Sequence, residues 1–102
     1  MEEEKRRYYA RFAELADQRL PHAHRLAAGE ADADVDRVAR ELHAMAGEAG
    51  LLGIFEVMAF ARAAFRATVD FRAAPTPERR VELAQALGDL EVAVKNAVKP
   101  AL

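Results

Sequence analysis

The chain has no cysteine, so neither a disulfide framework nor a thiolate metal site can be built from it. It has no tryptophan, and its aromatic residues are two tyrosines and five phenylalanines. An excess of one charge is missing too: 15 basic residues face 17 acidic ones, for a formal charge of −2. That balance argues against nonspecific nucleic-acid binding, which requires a basic surface. No uncharged run is long enough to span a bilayer. The amino terminus, Met-Glu-Glu-Glu, is not the basic segment and apolar run of a secretory signal. There is no Gly-x-x-x-x-Gly-Lys nucleotide loop, and the length leaves no room for a nucleotide-binding domain, so an autonomous kinase is not expected. The resulting expectation is a cytoplasmic protein without membrane insertion and without a nucleic-acid partner.

What is present is aliphatic and helix-forming. Hydrophobic residues make up 52% of the 102 residues, mostly alanine, leucine and valine, with only five glycines and four prolines. That length suits one domain spanning 1–102, and the composition favours an all-α fold.

Four amphipathic segments follow. In the first, Glu2, Glu3 and Glu4 suit a helix N-terminus; Tyr8, Phe12, Leu15 and Arg19 share one stripe, with Tyr9, Ala13 and Ala16 beside it. Pro21 removes a backbone donor and crowds the preceding turn, so one helix kinked there is expected, ending at Gly29. Asp32 or Asp34 can cap the second helix, whose stripe is Val35, Val38, Leu42, Met45, Ala49 and Leu52. Ile54 and Phe55 make a short, partly buried link to a third helix running to about Arg72. There Ile54, Met58, Ala61, Phe65 and Thr68 form a stripe widened by Val57, Phe60, Ala64 and Phe71. Core packing explains these aromatics better than a cofactor box does. Thr76, Pro77 and Glu78 are a cap, a first helical residue and a favourable charge for the fourth helix. Its stripe is Leu83, Leu87, Leu90, Val94 and Val98; Lys95 and Lys99 suit its C-terminal end, and Pro100 stops it. Short links between such helices imply an antiparallel up-down four-helix bundle.

The stretch Glu41-Leu-His-Ala-Met-Ala-Gly-Glu-Ala-Gly-Leu-Leu-Gly53 stands apart. His43 follows the core residue Leu42 and so points about 100° away from it. Its same-face neighbours are Ala39, Arg40, Ala46 and Gly47, with Gly50 one turn further. A glycine inside a helix costs roughly 1 kcal/mol relative to alanine; Gly53 can end the helix without that loss, but Gly47 and Gly50 have no turn to explain them. Either they let another helix of the same chain pack closely, or they let a partner's active site reach His43. The other histidines, His22 and His24, are two residues apart and on different helix faces, which prevents a shared metal. They read as solvated surface residues.

The segment from His43 to Gly53 resembles the signature of histidine-containing phosphotransfer (HPt) domains, roughly His-x-Leu-Lys-Gly-Ser-Ser-x-x-Leu-Gly. His43, Met45, Gly47, Ala49, Leu52 and Gly53 carry the match, on the second helix of an expected four-helix bundle. The resemblance implies that His43 accepts and donates a phosphoryl group with response-regulator receiver domains or a hybrid histidine kinase. The chain would then be a phosphoryl carrier of a two-component phosphorelay with no cofactor of its own, the receiver supplying Mg²⁺ and the aspartate. Chemistry agrees: a free imidazole, with a pKa of about 6.5, is mostly neutral near pH 7 and nucleophilic.

One position departs. The family usually has a lysine three residues after the histidine, and here it is Ala46. Arg40, three residues before His43, is a candidate substitute. Glu48, where the family has a small residue, reads as a solvated acid on the next face. The loss of the lysine keeps alive an alternative, an HPt-like docking or adaptor module that binds receivers or kinases without carrying phosphate. A metal- or cofactor-binding bundle is a third reading, but the paired Glu and Glu-x-x-His sets of di-metal bundles are missing.

Overall fold

The structure, a computed structural model, describes residues 3–98. Among them the chain forms four α-helices and no strand: α1 (Glu3–Ala27), α2 (Val35–Leu51), α3 (Phe55–Ala73) and α4 (Pro77–Val98). The expectations for Glu2, Lys99 and Pro100 lie outside the described residues.

Side chains and glycines set the helix ends. Asp34, not Asp32, caps α2: its Oδ1 accepts the amide hydrogens of Asp36 and Arg37 at 3.0 and 3.2 Å. Asp32 instead receives the Arg25 guanidinium at 2.6 Å. Thr76 caps α4 by accepting from the Arg79 amide at 3.2 Å, with Pro77 as the first helical residue. α1 and α2 both close through a glycine in the left-handed region, Gly29 at φ 85° and Gly53 at φ 76°. In α2 the Ile54 amide reaches back to the Ala49 carbonyl and the Gly53 amide to that of Gly50. These two bonds satisfy carbonyls that the helix end would otherwise strand.

Each helix touches two others: α1 and α3 both pack against α2 and α4, and neither diagonal pair meets among the described residues. Apolar stripes at helical spacing therefore converge on one core. Leu83, Leu87, Leu90, Val94 and Val98 of α4 are buried as their spacing predicts, and so are Val38, Leu42, Met45 and Ala49 of α2. Val35 and Leu52, at the ends of α2, are half-buried.

α1 and α3 are rotated from the expected stripes. The buried line of α1 is Phe12, Ala16, Leu20, Ala23 and Ala27, while Tyr8 is exposed and Leu15 half-buried. Small alanines let α1 approach its neighbours, which leaves the larger Tyr8–Leu15 line beside the C-terminal end of α2. α1 continues through Pro21. Pro21 and Asp17, whose carbonyl loses its partner, are both exposed, so water can take the vacated position. In α3 the centre of the buried face is Val57, Ala61, Ala64, Thr68 and Phe71, and Met58, Phe60 and Phe65 move to its half-buried flanks. Thr68 donates to the Ala64 carbonyl at 2.8 Å, so its buried hydroxyl is satisfied. The α2–α3 link is buried at Ile54 but not at Phe55, which is 65% exposed.

The reading of His22 and His24 as solvated residues is also corrected. His22 is buried, and its Nε2 accepts the Asp34 amide hydrogen at 3.0 Å. That bond fastens α1 to the residue that caps α2, and only a neutral ring can make it. Replacing His22 with leucine leaves the Asp34 amide without its acceptor. The expected loss is about 1–3 kcal/mol, read as a fall in thermal midpoint; an unchanged midpoint would show that water replaces the ring. His24, half-exposed, places Nε2 2.7 Å from the Glu91 carboxylate and so joins α1 to α4.

Lys95 and His24 hold the Glu91 carboxyl below the usual carboxylate range. A carboxyl lowered on folding stabilises the folded state above its unfolded pKa, and that contribution disappears as pH falls through the folded value. Glu91→Gln should therefore flatten the loss of stability on acidification below about pH 4.3. Thermal melts between pH 6 and 3 check this; parallel acid limbs for the two proteins would contradict it.

Candidate functional site

The Asp34 cap fixes where α2 begins, and the buried line Val38–Leu42–Met45–Ala49 fixes its rotation. His43, one residue after Leu42, is thereby turned outward and is exposed. No side-chain hydrogen bond to its ring is made among the described residues. The ring instead leans on Phe65 of α3, with centroids 5.5 Å apart and planes at 50°. Phe65 was read from the sequence as core. Its half-buried flank position makes it the support of the imidazole, and the signal for that was the rotation of the α3 stripe toward Ala61 and Ala64.

Beyond this pair lies an open groove of about 440 Å³ between α2 and α3, lined by Asp36, Ala39 and Arg40 on one side and by Val69 and Arg72 on the other. Arg72 donates to Asp36 Oδ1 at 2.9 Å. Arg40 is exposed and forms no ion pair among the described residues. The groove thus holds two guanidinium groups and one carboxylate beside the imidazole.

The two internal glycines separate. A Cβ built at Gly50 would sit 3.1 Å from Met58 Sδ, so Gly50 makes room for α3 within the fold. A Cβ at Gly47 would meet nothing within 4 Å. Gly47 is exposed on the face of His43, one turn on, and nothing in the fold uses its lack of a side chain.

Ala46, expected beside His43 on the surface, is only 7% exposed and belongs to the core cluster. Its smallness serves helix packing, and the groove's positive charge comes from Arg40 and Arg72. Glu48 is neither at the site nor free in solvent. Its carboxylate takes the Arg19 guanidinium of α1 at 2.7 Å, and it lines the α1–α2 groove rather than the one beside His43.

Past Gly47 the same face of α2 ends in Leu51, 91% exposed, with exposed Phe55 following in α3. A second groove, lined by Tyr8, Arg11, Phe12, Leu15, Glu48, Leu51 and Leu52, runs between this end of α2 and α1. No family model, curated protein or solved structure matches the chain. Among the described residues no three His, Cys, Asp or Glu side chains are grouped to hold a metal ion, and no helix is long and apolar enough to cross a membrane.

Chemically, the arrangement offers an accessible imidazole with free ring nitrogens, a cleared approach over Gly47, apolar side chains on one flank and cations on the other. The groove beside the imidazole is open rather than enclosed.

Proposed function

We propose that the chain is a histidine phosphotransfer module of a cytoplasmic two-component relay, exchanging a phosphoryl group between His43 and the aspartate of a receiver domain or hybrid kinase. The observation that carries this reading is the pairing of an exposed, hydrogen-bond-free His43 with an intrahelical glycine, Gly47, that clears space the fold itself leaves empty. The resemblance of residues 43–53 to the HPt signature supports it. We read the four helices as an up-down antiparallel bundle with a bend in α1 at Pro21. In keeping with that, Asp36 meets Arg72 while His43 meets Phe65, so the pairing ascends α2 as it descends α3.

In the forward step the lone pair on the unprotonated ring nitrogen of His43 attacks the phosphorus of an aspartyl phosphate. The N–P bond forms as the acyl O–P bond breaks, the bonding pair returns to the aspartate as carboxylate, and the proton on the other ring nitrogen stays there or passes to water. The reverse step retraces this path. The module contributes the nucleophile and its docking face; the receiver contributes Mg²⁺ and the groups that surround the transferring phosphoryl. His43, Gly47, Leu51 and Phe55 form that face. Gly50 and Ala46 support it from within the fold, and Arg40 borders it.

The test is incubation of the domain with a receiver charged by acetyl phosphate. Acid-labile, base-stable phosphate should appear on the domain. Its absence with every receiver of the same cell would leave the docking-module reading, in which the same face binds a receiver or kinase without transfer.

A further inference from the structure

The groove beside His43 has a feature that the docking face does not require. It holds a guanidinium on α3, Arg72, tied to a carboxylate on α2, Asp36. We infer that Arg72 is the positioning cation for the phosphoryl group carried on His43, shared with Arg40 and held in reserve by Asp36 until that group arrives. This rests on His43 being the phosphoacceptor; it assigns the charge that the uncharged, core-facing Ala46 cannot provide.

Three observations support it. The first is placement. Asp36, Arg40 and His43 occupy one face of α2, and Phe65, Val69 and Arg72 occupy the facing side of α3, with the groove between them. The second is direction. Side chains lean toward the N-terminus of their own helix, which for His43 is the end of α2 that carries Asp36. On α3 the same rule places the stem of Arg72 on the side of Val69 and Phe65, the residue on which the imidazole rests, while its guanidinium reaches across to Asp36. Because the two helices are paired in opposite senses, these leanings converge. The third is the ease of release. The Asp36 and Arg72 side chains are 61% and 49% exposed, and such a surface pair is worth only about 0–1 kcal/mol. A phosphoryl dianion competes well for that guanidinium, because Arg binds phosphate through parallel charge-assisted hydrogen bonds. Arg40 makes no ion pair among the described residues, and exposed Arg62 and Arg66 on α3 lie outside the groove lining.

The charges facing the phosphoryl group would thus be Arg40 and Asp36 from α2 and Arg72 from α3. Two cations against one carboxylate stabilise the dianion over the monoanion, and this difference is measurable without any partner. The whole chain is charged with phosphoramidate, and the His43 signal is assigned in the ³¹P spectrum by its loss in His43→Gln. The pH midpoint of its second phosphoryl ionisation is then followed. Arg72→Ala and Arg40→Ala should each raise the midpoint by about 0.2–0.7, the range a surface ion pair supplies. Arg72→Lys should restore most of it. Asp36→Asn, which frees Arg72 and removes the opposing charge, should move the midpoint down.

An unchanged midpoint in Arg72→Ala, or an upward move in Asp36→Asn, overturns the assignment. Failure of phosphoramidate to charge His43 at all would count against this assignment and the transfer reading together. A chain whose phosphohistidine titrates as expected but which exchanges phosphate with no receiver keeps the assignment of the groove and loses the relay.

Discussion

Replacing His43 with glutamine is expected to remove all receiver-derived acid-labile phosphate from the domain while leaving its thermal midpoint almost unchanged. The first half follows from chemistry: a carboxamide cannot form the N–P bond, and the other two imidazoles are engaged. His22 is buried and spends Nε2 on the Asp34 amide, and the Nε2 of His24 faces Glu91 at 2.7 Å. The second half follows from exposure. His43 makes one aromatic contact and no hydrogen bond among the described residues, so a surface change there should stay within about 0.5 kcal/mol. Glutamine is preferred to alanine because it fills part of the space above Phe65. Binding of the receiver, followed by calorimetry, should persist in the variant on either reading, so the loss of phosphate, which an adaptor never carries, is what separates a carrier from an adaptor. Phosphate that remains on His43→Gln would move the reaction to His24 and end the case for His43.

How much of this was legible in the sequence varies with the kind of signal. The α4 stripe Leu83–Leu87–Leu90–Val94–Val98 was legible residue by residue, since large aliphatics at helical spacing have only one way to be buried together. His43 was legible for a related reason: Leu42 is firmly core, and the next residue cannot share its face. The centre of the α1 face was misplaced, and α3, whose buried residues were all named, was turned by the weight given to Met58 and Phe65, because the buried lines run through alanines. Ala16, Ala23, Ala61 and Ala64 carry little hydrophobic signal, yet three of the four are less than 1% exposed, as close helix approach requires. Tyr8 and Phe55 carry much signal but stand outside. His22 was hidden because its role depends on Asp34, in the turn after α1. Arg72 was hidden because the groove it lines joins two helices whose register no single stretch reveals. Gly47 and Gly50 could not be told apart by spacing; Met58, eight residues beyond Gly50 on the next helix, distinguishes them.

That distinction makes Gly47 the most informative position after His43. Glycine in a helix interior is about 1 kcal/mol worse than alanine, and at Gly47 an added side chain enters open space. Gly47→Ala should therefore stabilise the domain by about 0.5–1 kcal/mol, raising the melting temperature by several degrees. Gly47→Gln, polar and a good helix former, should gain a comparable amount. Transfer should move in the opposite direction. A glutamine one turn from the imidazole occupies the approach through which an aspartyl phosphate must come to bonding distance, and misplacement of reacting groups by about 1 Å costs on the order of a hundredfold in rate. Alanine, with one carbon, should cost much less.

The neighbouring glycine supplies the control. At Gly50 a new Cβ meets Met58 Sδ at 3.1 Å, so the propensity gain is spent on moving a flexible thioether, and stability should rise less than at Gly47. Transfer through His43 should be untouched, because Gly50 faces α3. A selected position that sacrifices stability for function shows opposite signs in the two assays; a position shaped by packing does not. If Gly47→Gln both stabilises the chain and transfers phosphate at the parent rate, the cleared space over α2 has no visitor, and the reading of His43 as a relay centre loses its main support.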